Sequence, residues 1–204
     1  MQGVFLFLDL LSDEPLDGLV DPIRSALSTR LETHTFPLHE AEVKEAILFA
    51  QLTLLKLLPP GTNAALSCLV LVHNPDGLLC AGAGDIRAYT LQSDKITRFF
   101  ADPLNMEVQP HLSSKERLKV LKNALGRSTE PIIQIRHLLR RDLPALLIAP
   151  YSIWSKTEEQ QLIHNKEAHH LTFSHATSKE QRRHLLLLAA LAILLALAGL
   201  LLKY

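Results

Sequence analysis

The chain has 204 residues, which is enough for one or two domains. Its 21 Lys and Arg residues balance 21 Asp and Glu residues, so the composition gives no electrostatic reason to expect nucleic-acid binding. Hydrophobic residues make up 48% of the chain, which excludes a strongly polar disordered protein. Two Cys residues cannot build a disulfide framework, and no cleavable signal sequence opens the chain. We therefore expect a reducing, cytosolic environment for the folded part.

The first sixty residues predict one strand and two helices. Residues 4–8 form an uninterrupted apolar run, typical of a buried strand, and the run ends at Asp9. The Asp-Pro pair at 21–22 predicts the start of a helix of about 11 residues. A second, longer helix is predicted to begin near Glu40 and to end at the Pro-Pro-Gly sequence of residues 59–61.

The middle of the chain predicts four consecutive strands in two hairpins. The first hairpin joins residues 65–72 to 78–83 through an Asn-Pro-Asp-Gly turn. The second joins residues 85–91 to 95–100 through a three-residue connection. Such short connections require antiparallel pairing.

The remainder of the folded region predicts two more helices and three more strands. A capping box at Ser113 and Glu116 predicts a helix that ends at Gly126. A second cap at Ser155 and Glu158 predicts a helix that ends near residue 164. The strands are predicted at residues 132–136, 143–149 and 171–174. This order predicts an α+β sandwich in which helices cover antiparallel sheets.

The carboxyl-terminal segment is predicted to cross a membrane. Residues 185–202 are apolar throughout and contain no charge, and at about 1.5 Å per residue they span roughly 27 Å, close to one bilayer core. The alternative, a buried core helix, would normally keep a polar stripe, and this segment has none. Three basic residues precede the segment at 179, 182 and 183, and only Lys203 follows it. This bias predicts that the amino-terminal domain lies in the cytoplasm.

These patterns predict three parts of the chain. A cytoplasmic domain covers residues 1–178, a basic juxtamembrane segment covers 179–184, and a single transmembrane helix covers 185–202. The protein is then a tail-anchored, single-pass membrane protein.

Several segments, taken in chain order, resemble the metal-dependent Ser/Thr protein phosphatases of the type 2C or PPM family. Residues 61–67 (GTNAALS) and 83–89 (AGDIRAY) resemble that family's GTT and VGDSRAY segments. Residues 5–9 resemble the strand that leads into its DGxGG loop. The other matching positions are Asp102 at the start of a DHS segment, residues 121–126 (LKNALG) and residues 141–149 (RDLPALLIA).

The resemblance implies an αββα sandwich of two antiparallel sheets flanked by helices. It also implies a binuclear Mg²⁺ or Mn²⁺ site that activates water to attack a phosphoserine or phosphothreonine. Such cations need hard oxygen ligands, so several carboxylates must converge on the site.

Most of the carboxylates that the family uses are missing from this sequence. Asp9 stands at the DGxGG aspartate but is followed by Leu-Leu-Ser, and Tyr151 aligns with the SDG aspartate. A phenol is a poor ligand for Mg²⁺ at neutral pH. The GxDN segment is absent, whereas Asp85 is retained. We therefore expect no catalytic residue, no bound metal and no cofactor, with Asp9 and Asp85 as vestigial metal-ligand candidates.

Both vestigial carboxylates also have structural interpretations. For Asp9 we expect a carboxylate in a turn at the end of the first strand. For Asp85 we expect a carboxylate that accepts hydrogen bonds from the backbone amides of its own turn. Cys68 and Cys80 lie on the two arms of one hairpin and are interpreted as small buried hydrophobic residues.

Two functional hypotheses remain. The first is a membrane-anchored pseudophosphatase that acts by binding a protein partner of unknown identity. The alternative is an active metal-dependent Ser/Thr phosphatase with a reduced ligand set that includes Asp9 and Asp85 and uses Mg²⁺ or Mn²⁺.

Overall fold

Two four-stranded antiparallel sheets form the centre of the structure, a computed structural model that describes residues 3–16, 18–92, 95–105, 108–139 and 145–173. The first sheet has the order β1 (Gly3–Ser12), β2 (Ala64–Asn74), β3 (Gly77–Ala83), β6 (Gln134–Leu139). The second has the order β5 (Lys95–Phe100), β4 (Arg87–Gln92), β7 (Ala145–Ala149), β8 (His169–Leu171). Every pairing is antiparallel, which confirms the predicted pairing and both hairpins.

Long helices cover the first sheet, and short helices lie against the second. The long ones are α1 (Val20–Glu32) and α2 (Glu40–Leu57). The short ones are α3 (Ser114–Val120) and α4 (Tyr151–Trp154), with 3-10 turns at Pro103–Asn105 and Glu159–His164. The mixed α+β architecture is therefore confirmed, with less helix on the second side than the sandwich expectation implies.

Helical spacing explains how α1 and α2 pack on the first sheet. Ile23, Leu27 and Leu31 repeat every four residues along α1 and are buried in one core cluster. Alternate residues of β2, such as Cys68 and Val70, belong to the same cluster. The residues between them are buried too, so β2 is covered on both faces, as its continuous apolar sequence predicts.

A second core cluster joins α3 and α4 to the second sheet. It includes Tyr89 of β4, Leu147 of β7, Leu118 of α3 and Trp154 of α4. Leu11, at the end of β1, belongs to this cluster as well. The two sheets therefore share a core at the end of the sandwich where β1 finishes.

The first strand continues beyond its predicted end. β1 runs through Asp9 to Ser12, and Asp9 lies opposite Ser67 in the ladder with β2. The expectation of a turn carboxylate at Asp9 is therefore wrong. The apolar pattern resumes at Leu10 and Leu11, so a single charge inside the strand does not end the pairing.

Two boundaries near the second hairpin also differ from prediction. β4 begins at Arg87, so Asp85 lies in the connection after β3 and not in a strand. α3 ends at Val120 because Leu121 has an extended ψ of 94°. The following segment returns to the first sheet, where Leu125 forms an isolated bridge with Leu66.

The last predicted elements are shifted. β6 pairs with β3 over residues 134–139, two to three residues later than predicted, and β8 occupies 169–171 instead of 171–174. Ser155 caps no helix start, because it is the C-terminal cap of α4. A 3-10 turn over Glu159–His164 replaces the predicted helix.

The two cysteines are free and buried, as predicted. Cys80 lies opposite Leu71, three residues along β2 from Cys68, so the two thiols face opposite sides of the first sheet. Burial raises the pKa of Cys68 to about 12, which keeps it a protonated thiol at neutral pH.

The predicted transmembrane helix over 185–202 and its basic flank lie outside the described residues. None of the helices within residues 3–173 that the structure describes is long and apolar enough to cross a bilayer.

Candidate functional site

One arginine holds the carboxylates of Asp9 and Asp85 together. The Nη2 group of Arg117 donates to Asp9 Oδ2 at 2.7 Å. The same side chain donates to Asp85 twice, from Nε to Oδ2 at 2.6 Å and from Nη2 to Oδ1 at 2.8 Å. Asp9 and Asp85 are 76 residues apart in sequence, and Arg117 is the group that connects them. The site is therefore an ionic triad of one cation and two anions.

Helix α3 delivers Arg117 into this position. The Ser113 hydroxyl and the Glu116 carboxylate form the predicted capping box, which fixes where the helix begins. Arg117 and Leu121 are four residues apart and both buried, so they share the inward face. The arginine is only 5% exposed, which is unusual for this residue type unless its charge is compensated.

A close approach of two backbones positions Asp85. Gly84 has a φ of 110°, and a Cβ at this position would lie 2.5 Å from the Cα of Ser67. Only glycine tolerates that conformation and that contact. As a result, Ser67 Oγ donates to Asp85 Oδ1 at 2.7 Å and accepts from the Asp85 N–H at 3.1 Å. The prediction that Asp85 bonds the amides of its own turn is wrong, because its partners are side chains.

Two aromatic residues of α4 cover the triad. The Arg117 guanidinium carbon lies 4.2 Å from the ring centre of Tyr151, a cation–π contact. The Tyr151 hydroxyl accepts from the Leu112 N–H at 2.7 Å. Trp154 Nε1 donates to the backbone oxygen of Asp85 at 2.7 Å, and the Arg87 guanidinium lies 3.4 Å from the Trp154 ring centre. Tyr151 therefore serves here as a surface for a cation.

The electrostatics of the triad follow from burial and pairing. Burial raises the pKa of the Asp9 carboxyl, and the Arg117 charge opposes this rise without cancelling it. Burial lowers the pKa of Arg117, but the hydrogen bonds and charge of Asp85, followed by those of Asp9, outweigh burial and raise it. The guanidinium is thus charged at every physiological pH. A permanent cation occupies the space between the carboxylates.

A second buried carboxylate, Asp102, lies nearby in a different environment. Its oxygens accept from the backbone N–H groups of Gly84 at 3.2 Å and Leu104 at 2.9 Å. They also accept from the side-chain amides of Asn105 at 3.2 Å and Asn123 at 2.5 Å. Burial raises the pKa of Asp102, and these hydrogen bonds oppose the rise. No cation is among these partners.

The residues present do not fit a pair of divalent cations. Mg²⁺ and Mn²⁺ require several oxygen ligands, whereas both oxygens of Asp85 and one of Asp9 are hydrogen-bonded to Arg117. A dication placed between these carboxylates would also meet the fixed charge of the guanidinium at a few ångströms. The described residues contain no group of three or more His, Cys, Asp or Glu side chains arranged to hold a metal ion.

Small cavities open on both sides of the triad. One, of about 250 Å³, is lined by Asp85, Arg87, Asp102 and Trp154 among others. The other, of about 490 Å³, is lined by Arg117, Tyr151 and the loop around Ser113. Asp85 and Trp154 line the first cavity, Arg117 and Tyr151 line the second, and Asp9 lines neither of the two.

No family model matches the chain, and no curated protein is similar enough to match it. Solved structures do match. A bacterial serine phosphatase matches with a TM-score of 0.61 at 14% identity, over 92% of this chain and 80% of that one. The fold is that of the PPM-type phosphatases.

Two further structures with this fold extend the comparison. Ser/Thr phosphatase Stp1 from Staphylococcus aureus matches with a TM-score of 0.63 at 14% identity, over 78% of this chain and 69% of that one. PppA, described as a key regulatory component of the T6SS in Pseudomonas aeruginosa, matches with a TM-score of 0.56 at 12% identity. That match covers 78% of this chain and 74% of PppA. At these identities the likeness establishes the PPM-like fold.

The sequence located Asp9 and Asp85 but missed the residue that joins them. One feature of the sequence points to Arg117: it lies four residues before Leu121, on the face that the predicted helix buries. A basic residue on a buried face requires an anionic partner, and Asp9 and Asp85 were the available candidates.

His169 and His170 are adjacent in β8, where alternation sends their side chains to opposite faces of the strand. The ring of His169 packs against Phe7.

Proposed function

We propose that this protein is a pseudophosphatase with a PPM-like fold, in which Arg117 replaces the metal cluster. The observation that carries the proposal is the set of three short hydrogen bonds from Arg117 to Asp85 and Asp9. A guanidinium hydrogen-bonds both carboxylates and compensates one of their two negative charges, but it does not bind or activate water as a dication does. The protein then acts by binding and not by hydrolysis.

The energetic comparison supports the same conclusion. Two divalent ions would bring four positive charges to a site that holds two carboxylates and one arginine. Octahedral Mg²⁺ also gives up its water ligands reluctantly. Expelling the guanidinium would break a buried ion pair, which costs on the order of 3–5 kcal/mol when one partner is left uncompensated. Metal binding would have to overcome that cost first.

The proposal includes the membrane anchor and a protein partner. The apolar sequence of residues 185–202 supports a single-pass helix, and the basic residues before it support a cytoplasmic position for the folded domain. Tethering restricts the domain to the membrane surface, where a binding module meets a membrane-associated protein at high effective concentration. PppA, a structural neighbour, is described as a regulatory component, which supports a regulatory role for this fold.

A direct test is the effect of Mn²⁺ on the stability of the full-length protein. A protein that binds the ion at one hundredth of its added concentration gains about 2.7 kcal/mol. We expect no change in the unfolding midpoint of the wild type. The same measurement on Arg117→Ser tests whether Arg117 prevents metal binding, and Arg136→Ser, at an exposed position on β6, is the control. We expect Mn²⁺ to stabilise Arg117→Ser and neither of the other two proteins.

An activity assay separates the two functional hypotheses. The full-length protein is incubated with a phosphoserine peptide and Mn²⁺, beside Asp85→Asn and Asp9→Asn. We expect the three proteins to release phosphate at the same background rate. A wild-type rate that both substitutions abolish would establish the active phosphatase and overturn the pseudophosphatase proposal.

A further inference from the structure

Strand β1 lies at an edge of the first sheet, and its open side carries no protecting charge. Among the described residues β1 pairs with β2 alone, so alternate residues of β1 direct backbone N–H and C=O groups away from the sheet. Residues 3–8 contain no charge and no proline, and each of them is partly exposed. An apolar edge of this kind is a template for another strand.

The other three edges of the two sheets are better protected. β8 has only three residues, which limits the number of hydrogen bonds that it can offer. β5 contains Lys95 and Arg98, and β6 contains Arg136 and an exposed His137. Short length and charged side chains are features that keep sheet edges from pairing with other chains. β1 is therefore the edge at which an added strand meets the least opposition.

Cavities lie on both sides of the open edge of β1. One, of about 730 Å³, lies between β1 and β8 and has Ile86 and Pro150 in its wall. The other, of about 460 Å³, lies between β1 and the end of α1 and has Leu31 and Phe36 in its wall. Successive side chains of a strand point to opposite faces. A strand added to β1 would therefore place its side chains alternately in the two cavities.

Neither the chain that follows the described domain nor a second copy of β1 is a suitable occupant. Residues 174–184 (SHATSKEQRRH) contain one apolar residue, Ala176, and cannot fill two apolar cavities. Arg24 lies at the edge itself, because its Nη1 group donates to the backbone oxygen of Leu6 at 3.1 Å. A two-fold pairing of β1 with β1 at the middle of residues 4–8 would bring the two Arg24 side chains together, and like charges oppose association.

We propose that the open edge of β1 binds an extended segment of a partner protein, which joins the first sheet as a fifth strand. The segment is apolar where its side chains enter the two cavities, and it carries an acidic residue beside Arg24. Arg24 is exposed, lines the first cavity and forms no ion pair with another described residue, including Asp21 one turn earlier on α1. In this mode of binding, main-chain hydrogen bonds supply affinity and the side-chain cavities supply specificity.

The test is backbone hydrogen exchange of the full-length protein in detergent, read over β1 and β6. The probe is an extended peptide of Val and Thr residues with one central Glu. We expect the peptide to slow the fastest-exchanging amides of β1 at least about tenfold and to leave the β6 edge unchanged. A matched peptide that is N-methylated at its central residues keeps the side chains but cannot pair, and we expect it to have no effect.

Two protein variants test the second cavity. Phe36 and Phe49 are 43% and 44% exposed, but Phe36 lines this cavity and Phe49 lies on α2. Phe36→Glu is expected to raise the peptide concentration needed for protection at least about tenfold, whereas Phe49→Glu leaves it unchanged. For the charge, Arg24→Glu is expected to reverse the preference, so that a peptide with a central Lys protects β1 better than the peptide with Glu.

Four results would overturn the proposal. Equal protection by both peptides would show nonspecific apolar binding, and no protection at about 1 mM peptide would show that the edge does not accept a strand. Slow exchange of the whole of β1 without peptide would show that the edge is already covered, by a second copy if dilution removes the protection and by another part of the chain if it does not. The inference names a surface for the partner binding in the proposed function. Its measurements are separate from the Mn²⁺ and phosphate assays, so either proposal can fail without the other.

Discussion

The two buried carboxylate sites at this end of the sandwich are stabilised in different ways. Asp85 and Asp9 share the Arg117 cation, whereas Asp102 is held by backbone and side-chain amides. The amides that hold Asp102 link the loop after β3 to the segments that contain Leu104 and Asn123. Arg117 instead links Asp85 to Asp9 on β1. Two buried aspartates in one fold therefore differ in the groups that compensate their carboxylates, a cation for Asp85 and neutral donors for Asp102.

The largest expected effect comes from removing the cation. Arg117→Leu leaves Asp85 buried without a counter-charge, and we expect a loss of about 3–5 kcal/mol in the free energy of unfolding. Urea unfolding measures this loss. Adding Asp85→Asn to Arg117→Leu removes the uncompensated charge, so the double variant is expected to be more stable than Arg117→Leu alone. Equal losses in both would show that packing, and not charge, dominates the site.

The amide-held site should lose less when one of its donors is removed. Asn123→Ala deletes the 2.5 Å hydrogen bond to Asp102 and two hydrogen bonds to the backbone of Ile132. The lost hydrogen bonds come from a neutral side chain, and no ion pair is broken. We therefore expect roughly 2 kcal/mol of destabilisation. Asn63→Ala, at an exposed position, is the control and should change stability by less than about 0.5 kcal/mol. A larger loss of unfolding free energy for Asn123→Ala than for Arg117→Leu would contradict the expectation that the ion-paired site is the more sensitive of the two.

Removing a hydroxyl from the aromatic cover is a smaller change. Tyr151→Phe keeps the ring under Arg117. It loses the hydrogen bond that the hydroxyl accepts from the Leu112 N–H and the donation of the hydroxyl to the backbone oxygens of Gln109 and Leu112, and we expect a loss of about 1 kcal/mol. Tyr89→Phe is the matched control, because the Tyr89 hydroxyl is buried without a hydrogen-bond partner in the part of the chain that the structure describes. Its removal should be neutral or stabilising. A greater loss of unfolding free energy for Tyr89→Phe than for Tyr151→Phe would contradict this expectation.

The smallest expected effect is in the pH dependence of stability. Burial raises the pKa of Asp9 above its ordinary value of 3.8, so the folded state binds this proton more tightly than the unfolded state. The contribution of Asp9 is therefore present at low pH and is lost as the pH rises through the folded pKa. Compared with the wild type, Asp9→Asn should lose less stability as the pH rises from 3.8 towards neutrality. Asp76→Asn, in the exposed hairpin turn, controls for the general effect of removing one negative charge. The same dependence of unfolding free energy on pH in all three proteins would contradict a raised pKa for Asp9.

Local chemistry explains which parts of the fold were predictable. The Asn-Pro-Asp-Gly turn, the capping box of α3 and the apolar run of β2 are each encoded by neighbouring residues, and the structure contains all three. Boundaries failed where distant pairing overrides local preference. β1 continues past Asp9 because β2 supplies a partner for every residue to Ser12, and β6 is shifted because β3 sets its register.

The candidate site shows the same division between local and distant information. The sequence by itself determined that the segments resembling the PPM family lack glycines after Asp9 and an aspartate at position 151, since both can be read without coordinates. Only the tertiary structure decided which group lies between Asp9 and Asp85. A guanidinium can neutralise any carboxylate that folding brings within about 3 Å, and sequence spacing carries no record of that distance. Arg117 meets Asp9 from 108 residues away because β1, the loop after β3 and α3 converge at one end of the sandwich.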